Sequence, residues 1–194
     1  MNNNRRFTLN TNQNIIVEFT DERIIPAGGL AVVGALLGKS DFAKKLNRMD
    51  ITKNRSQHQI KNGDIILTYI GMLCMGKPYF EAVHEMDDDK AFYQAALGIT
   101  RSIPSEETLR QRMDEIGDSL RKTILNENIE LLISNKIQST ALSNGFVPVD
   151  IDVTPMDNSK SKKEGVFRTY KGFDGYAPMM AYIGTEGYAI TGPP

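Results

Sequence analysis

The chain has 194 residues, 40% hydrophobic and 24% charged, with a formal net charge of -1, an ordinary globular composition with room for one sizeable core or two small ones. That balance excludes a uniformly basic nucleic-acid coat, so any contact with DNA must come from local patches; residues 1–60 are the net positive segment, with nine Lys+Arg against five Asp+Glu. A single cysteine, Cys74, and the histidines His58 and His84 exclude a disulfide framework and a zinc cluster and suit a reducing cytoplasm.

Residues 1–25 predict a strand pair. Phe7-Thr8-Leu9 and Ile15-Ile16-Val17-Glu18-Phe19 are β-prone and flank Asn10-Thr11-Asn12-Gln13-Asn14, whose asparagines suit a turn. Arg5 and Arg6 at the open end either touch phosphate or are simply solvated. Pro26 then opens a helical region in which Leu30, Val33, Leu37, Phe42 and Leu46 keep an apolar face across a break at Gly38. Its longest apolar run, Ala27 to Leu37, is too short to span a bilayer, and the polar stretch before it does not read as a signal peptide. Gly34-Ala35-Leu36-Leu37-Gly38-Lys39-Ser40 imitates a phosphate-binding loop but has three residues between its glycines where the motif needs four. Residues 50–61 read as a polar loop.

Helix resumes near Asp64 with Ile66, Ile70 and Leu73 on one stripe, breaks at Gly76-Lys77-Pro78, and continues briefly from Tyr79 to Glu85. Asp87-Asp88-Asp89 reads as a cap for a helix over 88–97, ended by Gly98. Pro104-Ser105-Glu106-Glu107 opens the next helix, so the pair could form a helix-turn-helix. Leu109, Met113 and Ile116 form its inward stripe, leaving Thr108, Arg110, Gln111 and Arg112 on the outer surface, able to meet base edges or phosphates. Any amphipathic bundle helix exposes such residues. Residues 118–135 predict one more amphipathic helix.

Beyond Ser143-Asn144-Gly145 the pattern changes period. In Phe146-Val147-Pro148-Val149-Asp150-Ile151-Asp152-Val153-Thr154 apolar residues alternate with polar ones, as in a half-buried strand. Asp150 and Asp152 then project from one face with Cα atoms about 6.6 to 7 Å apart. They are either hard oxygen ligands for Mg²⁺ or Mn²⁺ on a rigid strand or a solvent-facing acidic row. The following loop carries Lys160, Lys162 and Lys163, which suit a phosphate backbone and equally a solvated hairpin. Val166–Lys171 and Ala177–Ile183 read as further strands around a turn at Gly172–Gly175, and Tyr188-Ala189-Ile190 as an extension beyond Gly184-Thr185-Glu186-Gly187.

The ordered set Val149-Asp150-Ile151-Asp152-Val153-Thr154, Lys163-Glu164-Gly165, Tyr170-Lys171-Gly172, Gly175-Tyr176-Ala177-Pro178 and Glu186-Gly187-Tyr188 resembles the start of the catalytic domain of bacterial insertion-sequence transposases with an Asp-Asp-Glu triad. Ser105-Glu106-Glu107-Thr108-Leu109 resembles the opening of the helical DNA-binding region upstream of it. The resemblance implies an α+β protein: an N-terminal hairpin over 1–25, a mainly α-helical DNA-binding region over 26–143, and the first strands of a ribonuclease H-like domain over 144–194. It implies that Asp152 is the first catalytic carboxylate, with Asp150 in support. It also implies two Mg²⁺ or Mn²⁺ ions serving cleavage and strand transfer at transposon ends, and DNA, with a possible homodimer, as partner. The family's second Asp and its Glu have no counterpart after Ile190, and Asp174 and Glu186 fall in turns. The expectation is therefore a truncated transposase, inactive alone; the alternative is a non-catalytic protein occupying the inverted repeats. The family fold puts the first strand between the second strand and another that this chain lacks, which leaves an open edge prone to self-association. Pro148 is tolerable there only if pairing begins at Val149.

Overall fold

The computed structural model describes residues 6–10, 14–18, 25–49 and 59–191. Arg5, the centre of the asparagine turn at 11–13, most of the polar loop with His58, and 192–194 lie outside the described residues. The chain opens with the expected antiparallel pair, β1 (Arg6–Asn10) and β2 (Asn14–Glu18), with Leu9 opposite Ile15. Helices follow: α1 (Leu30–Gly38), α2 (Phe42–Arg48), α3 (Asn62–Cys74), a 3₁₀ helix over Phe80–Met86, α4 (Lys90–Leu97) and α5 (Glu106–Ser134). Their apolar stripes close one core around Leu46, Ile65, Met72, Met86, Leu109 and Ile116. Each such side chain contributes about 1.5 to 3 kcal/mol on burial, which holds in place helices as short as α2 and α4 that would be marginal alone.

The segment imitating a phosphate loop is helical, and its Gly34 serves packing. A Cβ there would stand 1.7 Å from the Ala96 carbonyl oxygen, so only glycine lets α1 approach α4 this closely. Gly98 ends α4 at φ 72, as its position after the last apolar residue implied. The cap of α4 differs from expectation: Asp89 occupies the N-cap without a side-chain cap bond, and Asp87 pairs instead with Lys90 at 3.0 Å and with His84 at 3.1 Å.

Ser105 caps α5 as predicted, accepting the Thr108 amide at 3.3 Å. The separate helices expected at 104–116 and 118–135 are one continuous helix of 29 residues. Gly117 between them costs about 1 kcal/mol of helix propensity, too little to break a helix whose Ile116 and Leu120 are both buried on one face.

The strands form small antiparallel sheets. β3 (Val149–Val153), β7 (Met179–Ile183) and β8 (Tyr188–Thr191) make one in the order β3-β7-β8. β4 (Met156–Asp157), β5 (Phe167–Arg168) and β6 (Asp174–Tyr176) make the other in the order β4-β6-β5. The strand expected over 166–171 is thus reduced to two residues in the second sheet, and the neighbour of β3 is β7. Gly175 explains the departure: a Cβ there would meet the Met156 carbonyl oxygen at 2.0 Å, so the backbones of β4 and β6 close together where a turn was expected. Pro148 behaves as required, because pairing starts at Val149 and the proline needs only its carbonyl, which accepts the Gly184 amide at 2.9 Å. The class is α+β. No helix among the described residues is long and apolar enough to cross a membrane.

Candidate metal and nucleic-acid site

β3 is the strand that the alternation predicts, but it is not half-buried: Val149 and Ile151 are 53% and 65% exposed, so both of its faces meet solvent. Asp150 lies opposite Tyr182 and Asp152 opposite Met180, so both carboxylates share one face of the sheet and both are exposed. The Val153 amide donates to Asp152 Oδ1 at 2.8 Å. Among the described residues Asp150 has no hydrogen-bond or ion-pair partner, and Asp152 has no other. These are hard, anionic oxygens held on a strand and open to a cation, a donor set that fits Mg²⁺ or Mn²⁺. It is a partial set: no group of three or more His, Cys, Asp or Glu able to hold a metal ion is assembled among the described residues. Asp174 pairs with Arg168 at 3.3 Å. Glu186 accepts the Thr140 amide at 3.1 and 3.2 Å and its hydroxyl, contacts that hold its carboxyl below the usual range. Both acids are engaged in tying the chain together, Glu186 from a turn and Asp174 from β6 rather than from the turn expected for it.

On α5, Thr108, Arg110 and Gln111 reach the surface. Arg110 is bidentate to Glu107 at 2.8 and 2.7 Å, and Gln111 bonds the same carboxylate. With Asp114 and Glu115 also exposed, the outer face around Arg110 is acidic and a phosphate must displace Glu107 to reach it. Arg112 is not on that face. It is buried, donates to Asn62 Oδ1, and approaches Glu115 with Nε at 3.4 Å. Asn62 in turn donates to the Leu46 carbonyl at 3.3 Å, so the guanidinium ties α5 to α3 and α2. The helical spacing held this outcome: position 112 is three residues after Leu109 and four before Ile116, on the inward stripe.

Lys160, Lys162 and Lys163 are exposed on the loop between β4 and β5, with no ion pair among the described residues. The loop is anchored at both ends. Asp157 Oδ1 accepts the Ser159 amide at 2.9 Å and hydroxyl at 2.7 Å, and the Tyr176 hydroxyl donates to the Glu164 carbonyl at 2.8 Å. Only Thr154 and Pro155 separate β3 from β4, and the lysine loop leaves the end of β4, in the other sheet.

The family model for the transposase DDE domain, group 1, matches residues 7–191. The chain belongs to this family. Comparison with curated proteins and with solved structures returns no match. A transposase DDE domain is thus the frame for the acidic strand, and transposase function is what the chain shares with the family.

One organising residue of this transposase domain escaped the sequence reading. Asp64, fully buried on α3, accepts the Thr100 amide at 2.8 Å, the Arg101 amide at 3.1 Å and the Thr100 hydroxyl, so it fixes the connection from α4 to α5. The signal was an acid wedged between Asn62-Gly63 and Ile65-Ile66, read only as a helix start.

The start of α5 is also linked to the 3₁₀ helix through His84. Asp87 and Glu106, 3.1 and 3.5 Å from its ring nitrogens, raise its pKa above 6.5, with Asp87 the larger cause. A raised folded-state pKa adds stability that is complete below the unfolded value and is lost as pH rises through the folded one. Urea unfolding midpoints should therefore fall as pH climbs from about 6 to about 8, and His84→Asn should flatten that decline; an equally steep decline in the variant contradicts the assignment.

Proposed function

We propose that this chain recognises transposon-end DNA and contributes Asp152, supported by Asp150, to the divalent-cation site of a transposase that cuts and joins strands. The observation that carries the reading is the pair of exposed, co-facial carboxylates on β3 within a chain matched over 7–191 by the family. A bound Mg²⁺ or Mn²⁺ supplies Lewis-acid activation of a water or 3′-hydroxyl and stabilises the leaving oxygen. Asp152 and Asp150 hold cation charge at the end of the sheet, and Thr154 begins the turn into β4, from which the lysine loop leaves. Lys160, Lys162 and Lys163 neutralise phosphates and set the backbone against the acids. Thr108, Arg110 and Gln111 offer a second contact, with Glu107 as competitor for the phosphate; Arg112 serves the core.

A ribonuclease H-like arrangement of the strand region is supported by the acidic strand β3 pairing antiparallel with β7, which pairs antiparallel in turn with β8. Binding to terminal-repeat DNA across a salt series separates the contacts. Replacing Lys160, Lys162 and Lys163 together with glutamine should make the slope of log K against log salt shallower by about 2 to 3. An unchanged slope removes the loop from the interface.

A further inference from the structure

The turn between β5 and β6 is pinned on both sides of its tip. Thr169 is buried, and its amide and hydroxyl both donate to the Phe173 carbonyl, at 2.8 and 2.7 Å. The Gly172 amide donates back to the Thr169 carbonyl at 3.0 Å, with Gly172 at φ 83, a conformation that glycine adopts without strain. Between these anchors stand Tyr170, 71% exposed, and Lys171, also exposed. Among the described residues neither side chain has a hydrogen bond, ion pair or ring contact. Phe167, 55% exposed on β5, is a second open ring on the same hairpin.

The lysine loop starts at the same end of this sheet. β4 and β5 both run antiparallel to β6, so their C-terminal ends lie together. The Asn158 amide donates to the Asp174 carbonyl at 2.9 Å and the Asp174 amide to Ser159 Oγ at 3.3 Å, which fastens the chain just before Lys160 to the end of the tyrosine turn. Residues 156–175 carry five basic side chains against three acidic in a chain of net charge -1, and two of those acids are already engaged, Asp157 by Ser159 and Asp174 by Arg168. A ring on a fixed backbone beside ammonium groups suits a single nucleic-acid strand, since a base stacks on the ring while its phosphates meet the charge. A base within a duplex has both faces covered by its neighbours and must be unstacked before a protruding ring can reach one. We propose that Tyr170 is a stacking platform for an unpaired base of single-stranded DNA, with Lys171 and Lys160 on the flanking phosphates. The proposal rests on the reading of this chain as a binder of transposon-end DNA, and it narrows that substrate to ends that carry unpaired nucleotides.

The test is fluorescence anisotropy of a labelled oligothymidylate titrated with the whole chain, against an abasic strand of equal length that keeps the phosphates and lacks the bases. Oligothymidylate should bind about tenfold or more tightly than the abasic strand. Tyr170→Ala should erase that preference, while Tyr170→Phe, which keeps the ring, should retain it. Equal affinity for the two strands, no binding of either, or an undiminished preference in Tyr170→Ala overturns the proposal. Tighter binding of oligouridylate than of oligothymidylate assigns the ring to RNA and overturns it too. Terminal-repeat duplex titrated in parallel keeps the two readings apart. Duplex binding with no preference for bases over abasic sites sinks the platform alone, whereas a preference for bases without duplex binding supports the platform and sinks the transposon-end reading.

Discussion

Asp64→Ala is expected to destabilise the fold by about 2 to 4 kcal/mol, measured as a lower midpoint in urea with an unchanged slope. The carboxylate accepts from two consecutive amides, Thr100 and Arg101, and from the Thr100 hydroxyl, and alanine leaves those donors without their acceptor. Charge-assisted hydrogen bonds of this kind contribute about 1.5 to 3 kcal/mol each, discounted here because Thr100 and Arg101 are partly reached by water. Asp64→Asn, which retains one acceptor oxygen, should lose less. Amide exchange adds a local readout: protection at Thr100 and Arg101 should vanish first in either variant. A loss below 0.5 kcal/mol, about the effect of an ordinary surface change, would contradict the role given to this acid.

Ile151→Lys should convert a self-associating polypeptide into a monomer. β3 has its second edge open among the described residues, and Val149, Ile151 and Met179 expose an apolar surface beside Phe146, with Ile151 65% exposed. Such a strand invites association through its face or its edge. In-register edge pairing of two copies would set aspartates against aspartates, which disfavours it, so the apolar face is the contact. Burial of Ile151 contributes about 1.5 to 3 kcal/mol per copy, and its loss weakens association by about 100-fold or more. Sedimentation across a concentration series checks this. A wild-type chain that remains monomeric at high concentration contradicts it, as does association unaffected by the lysine.

The parts of this fold governed by local rules were legible in residue order. The period-two alternation of 149–153, the Ser105 cap, the Gly98 stop and the confinement of Pro148 to the strand entrance all follow from backbone chemistry within a few residues. What depended on distant partners was not. The stretch through Ile116 and residues 118–135 read as two helices, while the buried Ile116 and Leu120 carry one helix through Gly117. Arg112 looked like a surface base because of its charge, although its spacing from Leu109 put it inward, where Asn62 receives it. The identity of the strand beside β3 could not be read locally, since Phe167–Arg168 and Met179–Ile183 are comparable β-prone runs and the choice rests on the close approach at Gly175. Asp64 was missed for the same reason: a buried acid is defined by who donates to it, and its donors lie 36 and 37 residues away.

The acidic strand can be interrogated directly with Mn²⁺, whose paramagnetism broadens nearby amide resonances. Substoichiometric Mn²⁺ should selectively broaden the amides of Val149–Val153 and of Met179–Ile183 across the ladder, and Asp150→Asn combined with Asp152→Asn should abolish the effect while leaving the spectrum otherwise folded. Broadening centred on Asp87–Asp89, or none at β3 before nonspecific loss sets in, would mean that these carboxylates hold no cation.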